Sequence, residues 1–202
     1  MNYILFALTY ALAASLQPGP FQAYIISQTL KKGWRKTFYI AFAPILSDIP
    51  ILILIFFILT NLPPSFINIL RIIGGLFLFY LTYKTYLSWK NYLYTEEYKN
   101  GVGTFFNAVM VNLLNPNPYI GWSLVMGPTV LEIWGKSQGL AFAFIISFYI
   151  TLVVSTMSII LLFSFARSIG PKISRTLLGI SAIGLFLFGF YQIYRGISIF
   201  IN

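Results

Sequence analysis

One carboxylate, Asp48, stands inside a long apolar stretch, with Ser47 beside it and Pro44 one helical turn before it. A charged side chain near the centre of a bilayer costs about 2.5–3.5 kcal/mol on insertion scales. A carboxyl taken out of water is most easily kept neutral by a proton or by a bound cation. Both suit a proton-coupled carrier. The structural alternative is an Asp that only satisfies a free backbone N–H.

Two proline motifs offer such free groups. Leu16-Gln17-Pro18-Gly19-Pro20 interrupts a run from Met1 to Leu30 that has no charged side chain. Pro18 and Pro20 each lack an N–H, and each ring crowds the carbonyl four residues earlier. Gly19 removes the steric barrier to a non-helical turn. The second half of the chain repeats the pattern as Leu114-Asn115-Pro116-Asn117-Pro118. Freed backbone at membrane depth is tolerated only where protein or a water-filled cavity meets it. A matching pair of interrupted segments points to a substrate site between two repeats.

The carboxamides of Gln17, Asn112 and Asn115 stand in or beside the breaks. They can bind a substrate carboxylate or amine, or they can satisfy the freed backbone. A helix restarting after Pro20 or Pro118 turns its positive end toward the break. That end favours an anionic group, and Asp48 favours a cation. A zwitterion carries both. Ser147, Thr151 and Ser155, followed by Ser158, form a polar stripe at helical spacing. It either lines a pathway or bonds back to its own helix.

The composition names the surroundings. The 202 residues are 58% hydrophobic and 8% charged, against about 25% charged in soluble domains. The chain therefore reads as an all-α integral membrane protein, one transporter domain over 1–202. There is no Cys and no His, which excludes disulfides, the usual thiol redox carriers, and Cys or His metal ligands. No metal or cofactor site is expected. The net charge of +9 comes from Lys and Arg in short loops. They read as topology signals facing anionic membrane lipids rather than as a nucleic-acid surface. No positive charge precedes the first apolar run, so it reads as a span and not as a cleaved signal.

Six spans are expected, at about 3–30, 37–60, 67–89, 104–127, 138–166 and 173–200. Asn61-Leu62-Pro63-Pro64 and Gly170-Pro171 make turns. Residues 91–103, with Glu96, Glu97 and Lys99, form a polar cytoplasmic loop, and Gly101-Val102-Gly103 is part of it. Trp34, Trp89, Trp122 and Trp134 read as interface anchors, and Lys84 as a snorkelling side chain. Gly179, Gly184, Gly189 and Gly196 suit close helix packing or a dimer seam. With both termini outside, Lys31, Lys32, Arg35, Lys36, Lys84, Lys90, Lys99, Arg167, Lys172 and Arg175 fall inside, as the positive-inside rule prefers. Repeat one (about 1–90) and repeat two (about 104–202) then hold three spans each in opposite orientation. This is an inverted repeat whose first and fourth helices are broken by proline.

The chain resembles the LysE/RhtB-type translocators of prokaryotic inner membranes. The resemblance rests on Pro18-Gly19-Pro20, Gly33-Trp34-Arg35-Lys36, Asp48, Ile73-Gly74-Gly75-Leu76 and Asn112-Leu113-Leu114-Asn115-Pro116. The family usually has Lys after the second Asn-Pro, where this chain has Asn117. Ala43 and Ser47 replace glycines expected before the acid. The resemblance implies six helices in two inverted halves, often paired as a dimer. It also implies export of amino acids or similar small molecules by antiport with protons, rather than enzymatic catalysis. Asp48 and the two broken segments, with Gln17, Pro18, Gly19 and Pro20 in one and Asn112, Asn115, Pro116, Asn117 and Pro118 in the other, would hold substrate and proton. The rival readings are an exporter of metal or other cations and a membrane scaffold that transports nothing.

Overall fold

Prolines stand at the first or second position of most of the described helices, and glycines or carboxamides end several. The computed structural model describes residues 2–58, 64–90 and 101–201. Among them there are helices and no strand. Helix α1 (Tyr3–Leu16) is capped by Asn2, whose Oδ1 accepts from the Leu5 N–H at 3.2 Å. Helix α2 (Pro20–Lys32) starts on Pro20 and ends at Gly33, whose φ of 76° suits glycine. Two short 3₁₀ turns, Trp34–Lys36 and Phe38–Phe42, lead into α3 (Ala43–Ile58). Helix α4 is Pro64–Lys90 and α5 is Gly101–Leu113. A short α6 (Pro116–Gly121), a wide π turn (Trp122–Met126) and α7 (Gly127–Lys136) follow. Helices α8 (Gln138–Ile169) and α9 (Pro171–Ile201) are the longest.

Helices Gln138–Ile169 and Pro171–Ser198 are each long and apolar enough to cross a bilayer alone. The α1–α2 pair, bent by 64°, qualifies only when taken as one span. Phe38–Leu54 and Gly103–Leu113 are apolar but shorter. The outer faces of α8 and α9 expose Leu162, Phe165, Ile183, Leu187 and Phe190. Such a surface suits lipid rather than water.

Packing partners recur in pairs. Helix α1 runs parallel to α8, with Phe6 stacked on Phe144 and Tyr10 beside Phe148. The α3 tract runs parallel to α5, with Tyr39 beside Phe105 and Asp48 bonded to Asn112. Helices α4 and α9 cross antiparallel: Gly196 lies against the Asn68 carbonyl, Gly189 against that of Gly75, and Gly179 against Trp89. Missing side chains let the two backbones meet, which is how helices associate where lipid gives no hydrophobic drive.

Two apolar clusters divide the interior. One joins Phe21, Ile25, Ile40, Ala108 and Ile160. The other joins Ala7, Ala11, Met126, Ile133 and Phe144. At the far end of the second, the Tyr3 hydroxyl and Lys136 Nζ both donate to Glu132 Oε1, at 2.7 and 2.6 Å. The pair is open to solvent, where water screens it. Glu132→Gln is expected to leave the thermal unfolding midpoint in detergent unchanged.

Several expected boundaries move. The fourth tract does not stop near Gly127-Pro128 but continues to Lys136. The π turn accounts for this: Gly127 N–H bonds to the Trp122 carbonyl, and Pro128 enters in the first turn of α7, where no donor is needed. Gly101-Val102-Gly103 opens α5 rather than ending a loop. The turn at Asn61-Leu62-Pro63 and the polar loop at 91–100 lie outside the described residues.

Candidate functional site

The first break is built from its prolines outward. Pro18 has no N–H to give the Ala14 carbonyl, and the bend withdraws Gly19 from that of Ser15. Gln22 fills both gaps, its Nε2 donating to Ser15 O at 3.1 Å and Ala14 O at 3.4 Å. Gly19 is extended, with φ −168°, and is buried. At the second break Pro116 cannot serve the Asn112 carbonyl, which accepts instead from the Asn115 N–H at 3.2 Å. Asn115 Oδ1 caps α6 by accepting from the Asn117 N–H at 3.2 Å. The Leu114 carbonyl lies against Gly74, where a Cβ would sit 2.5 Å from it.

Between the breaks lies a cavity of about 120 Å³, room for on the order of ten waters. Gln17, Gly19 and Gln22 line it from the first break. Asn112, Asn115, Asn117 and Pro118 line it from the second, with Asp48 in the wall. Pro20 and Pro116 are buried as the first residues of α2 and α6, and Pro18 lies outside the lining. Ser47 sits buried behind the wall and accepts from Asn112 Nδ2 at 2.7 Å.

Asp48 is 4% exposed. Its Oδ2 accepts from Trp122 Nε1 at 3.1 Å and from the Tyr149 hydroxyl at 3.0 Å. Its Oδ1 accepts from Asn112 Nδ2 at 3.3 Å. Three donors suit an ionised carboxylate, which only accepts. Trp122 and Tyr149 are stacked with centroids 6.2 Å apart, and Phe148 meets the Trp122 ring edge-on. Trp122 is therefore no interface anchor. It is 4% exposed and holds the acid, because the break folds its tract back over α3.

The family profile described as LysE type translocator matches residues 12–196, which include both breaks and Asp48. The chain belongs to the LysE type translocator family. It is thus a helical, multi-pass membrane protein of a family of translocators, not of enzymes. No curated protein and no solved structure matches the chain.

In this translocator the polar stripe of Ser147, Thr151 and Ser155 does not line the cavity. The wall from α8 is Phe148, Leu152 and Thr156, one residue further on. Packing of Phe144 and Phe148 against α1 sets that rotation. Sequence reading missed Gln22, Trp122, Tyr149 and Thr156. Gln22 had a usable signal, since it lies eight residues after Ala14, whose carbonyl Pro18 leaves open. The other three had none, because their roles depend on which face each helix turns inward. Trp122→Phe keeps the aromatic stack and removes one donor to Asp48. It is expected to lower the apparent substrate affinity about tenfold, read as substrate concentration dependence of flux in liposomes.

Proposed function

We propose that this LysE type translocator is a secondary active exporter of amino acids or similar small zwitterionic or cationic metabolites, working in a prokaryotic inner membrane by proton antiport. The observation that carries this reading is Asp48, buried in the wall of a cavity that both broken segments line. Asp48 would hold the substrate's ammonium or a proton, but not both at once, and that exclusion is what couples the two fluxes. Carboxamides and the open end of α2 would hold the rest of the substrate. The apolar clusters on either side would open in turn, so that the site faces one surface at a time.

An inverted repeat of two times three spans gives this cycle its symmetry, with the termini outside. The paired packing supports it: α1 beside α8 is matched by α5 beside α3, and α4 crosses α9 antiparallel. Each pairing exchanges a tract of one half for the corresponding tract of the other. A hard divalent cation is best held where several oxygen ligands carry charge, whereas the lining offers one carboxylate among neutral carboxamide and hydroxyl oxygens. The reading is tested in liposomes holding the purified protein, with an imposed proton gradient and a panel of amino acids. Gradient-dependent flux of at least one is expected. Flux of metal ions alone would replace the reading, and flux of nothing in the panel would remove it.

A further inference from the structure

Away from the central cavity, the end of α4 and the start of α9 meet around an open pocket of about 410 Å³, lined by Trp89, Pro171, Lys172, Arg175 and Thr176. Lys172 and Arg175 stand three residues apart and so share one face of α9. The lining holds these two cations and no carboxylate. The acids among the described residues lie elsewhere, Asp48 in the central cavity and Glu132 bonded to Lys136. Arg175 is held in place: its guanidinium lies over the Trp89 ring, 5.2 Å from the centroid. The ring attracts the charge and leaves the planar fork of N–H donors to other partners. Trp89 is itself fixed. Tyr86 packs against it with centroids 5.7 Å apart, and the missing side chain of Gly179 makes room for the indole, since a Cβ there would lie 3.0 Å from Nε1. Further along the face of Thr176, at helical spacing, Ile180, Ile183 and Leu187 are exposed. A cationic pocket thus stands at the end of an apolar, lipid-facing stripe.

We propose that this pocket binds the headgroup of an anionic phospholipid of the phosphatidylglycerol type, with the acyl chains lying along Ile180, Ile183 and Leu187. Arg175 offers paired N–H donors to two phosphate oxygens, and Lys172 adds a point charge beside it. Basic pockets between membrane helices on the cytoplasmic side take anionic headgroups in this way, and the positive-inside reading of the chain puts the pocket on that side. The two cations also choose among lipids. A phosphatidylcholine or phosphatidylethanolamine headgroup carries its own cation, which Lys172 and Arg175 repel. A phosphatidylglycerol headgroup brings a phosphate without one. A free phosphate has the charge but nothing to lay on the apolar stripe. The proposal stands apart from export: it concerns a lipid held at the α4–α9 seam, whatever the central cavity carries.

The test uses the purified full chain, stripped of lipid in a non-ionic detergent and titrated with phosphatidylglycerol or phosphatidylcholine brominated near the glycerol end of one acyl chain. Bromine quenches a nearby indole, and the Trp89 share of the emission is taken by difference from Trp89→Phe. Half-quenching of that share is expected at a phosphatidylglycerol concentration at least about tenfold below that for phosphatidylcholine. Lys172→Gln combined with Arg175→Gln is expected to erase the difference between the lipids. Both side chains are exposed, so the thermal unfolding midpoint in detergent should not move. Arg195→Gln, at the other end of α9, should leave the preference in place. Equal quenching by the two lipids in the unmodified protein, or a preference that survives the double substitution, overturns the proposal. Displacement of brominated phosphatidylglycerol by millimolar inorganic phosphate, but not by chloride at equal ionic strength, assigns the pocket to a free anion and overturns the lipid reading.

Discussion

Asp48→Asn is expected to abolish gradient-driven export, with a loss on the order of a hundredfold or more. Removing one member of a buried charge pair costs about 2–5 kcal/mol, and each 1.4 kcal/mol is about tenfold. The substitution keeps the shape. Trp122 and Tyr149 can still donate to an amide oxygen at the position of Oδ2, and Asn112 can turn its amide to meet the new NH₂. The protein should therefore fold and unfold at an unchanged temperature, while losing both the ammonium partner and the exchangeable proton. Substrate exchange across the membrane without a proton gradient would fall as well, because the binding site itself is altered. Asp48→Glu should restore part of the flux. Full export by the Asn variant would show that the acid is structural, the alternative left open by the sequence.

Gly75→Val is expected to cost more folded protein than any other single change at the α4–α9 seam. A Cβ at Gly75 would lie 2.5 Å from Ile193 Cγ1 and 2.8 Å from the Gly189 carbonyl oxygen. The side chain of Ile193 can turn away, but the carbonyl belongs to the α9 backbone and moves only with the helix. Overpacking of this kind costs about 1–3 kcal/mol, occasionally more, and two further carbon atoms on the Cβ place it at the upper end. The measurement is the thermal unfolding midpoint in detergent, with Gly103→Ala as the control, since a Cβ there meets nothing within 4 Å. A loss of stability with Gly75→Val and none in the control is expected.

Pro18, Pro116 and Asp48 were legible in the sequence because each breaks a rule that holds without tertiary contacts: a missing N–H in a helix, or a charge in an apolar run. The glycines of α9 were legible as packing positions for the same reason. Orientation about a helix axis was not. Ser147, Thr151 and Ser155 have the spacing of a cavity wall, yet the wall is Phe148, Leu152 and Thr156. A rotation of one residue separates the two, and the aromatic contacts of α8 with α1 decide it. Trp122 looked like an interfacial ring because Trp at span ends commonly is one. It becomes a hydrogen-bond donor to Asp48 because the tract that restarts after the second break lies over α3. The doubt over Gln17 and Asn115 also resolves unequally. Asn115 caps backbone with one end and faces the cavity with the other, whereas Gln22, not Gln17, takes the backbone duty at the first break.

The central claim is that both interruptions face one water-filled site. The absence of native cysteine makes it directly measurable. Gln17→Cys and Asn117→Cys are placed singly, with Leu162→Cys as a lipid-facing control, and a charged, membrane-impermeant thiol reagent is applied to opened membrane vesicles. The account predicts that both break positions react, that a transported substrate slows both, and that Leu162→Cys does not react. Labelling of one break without the other, or of neither, or labelling that no substrate slows at either position, would contradict it.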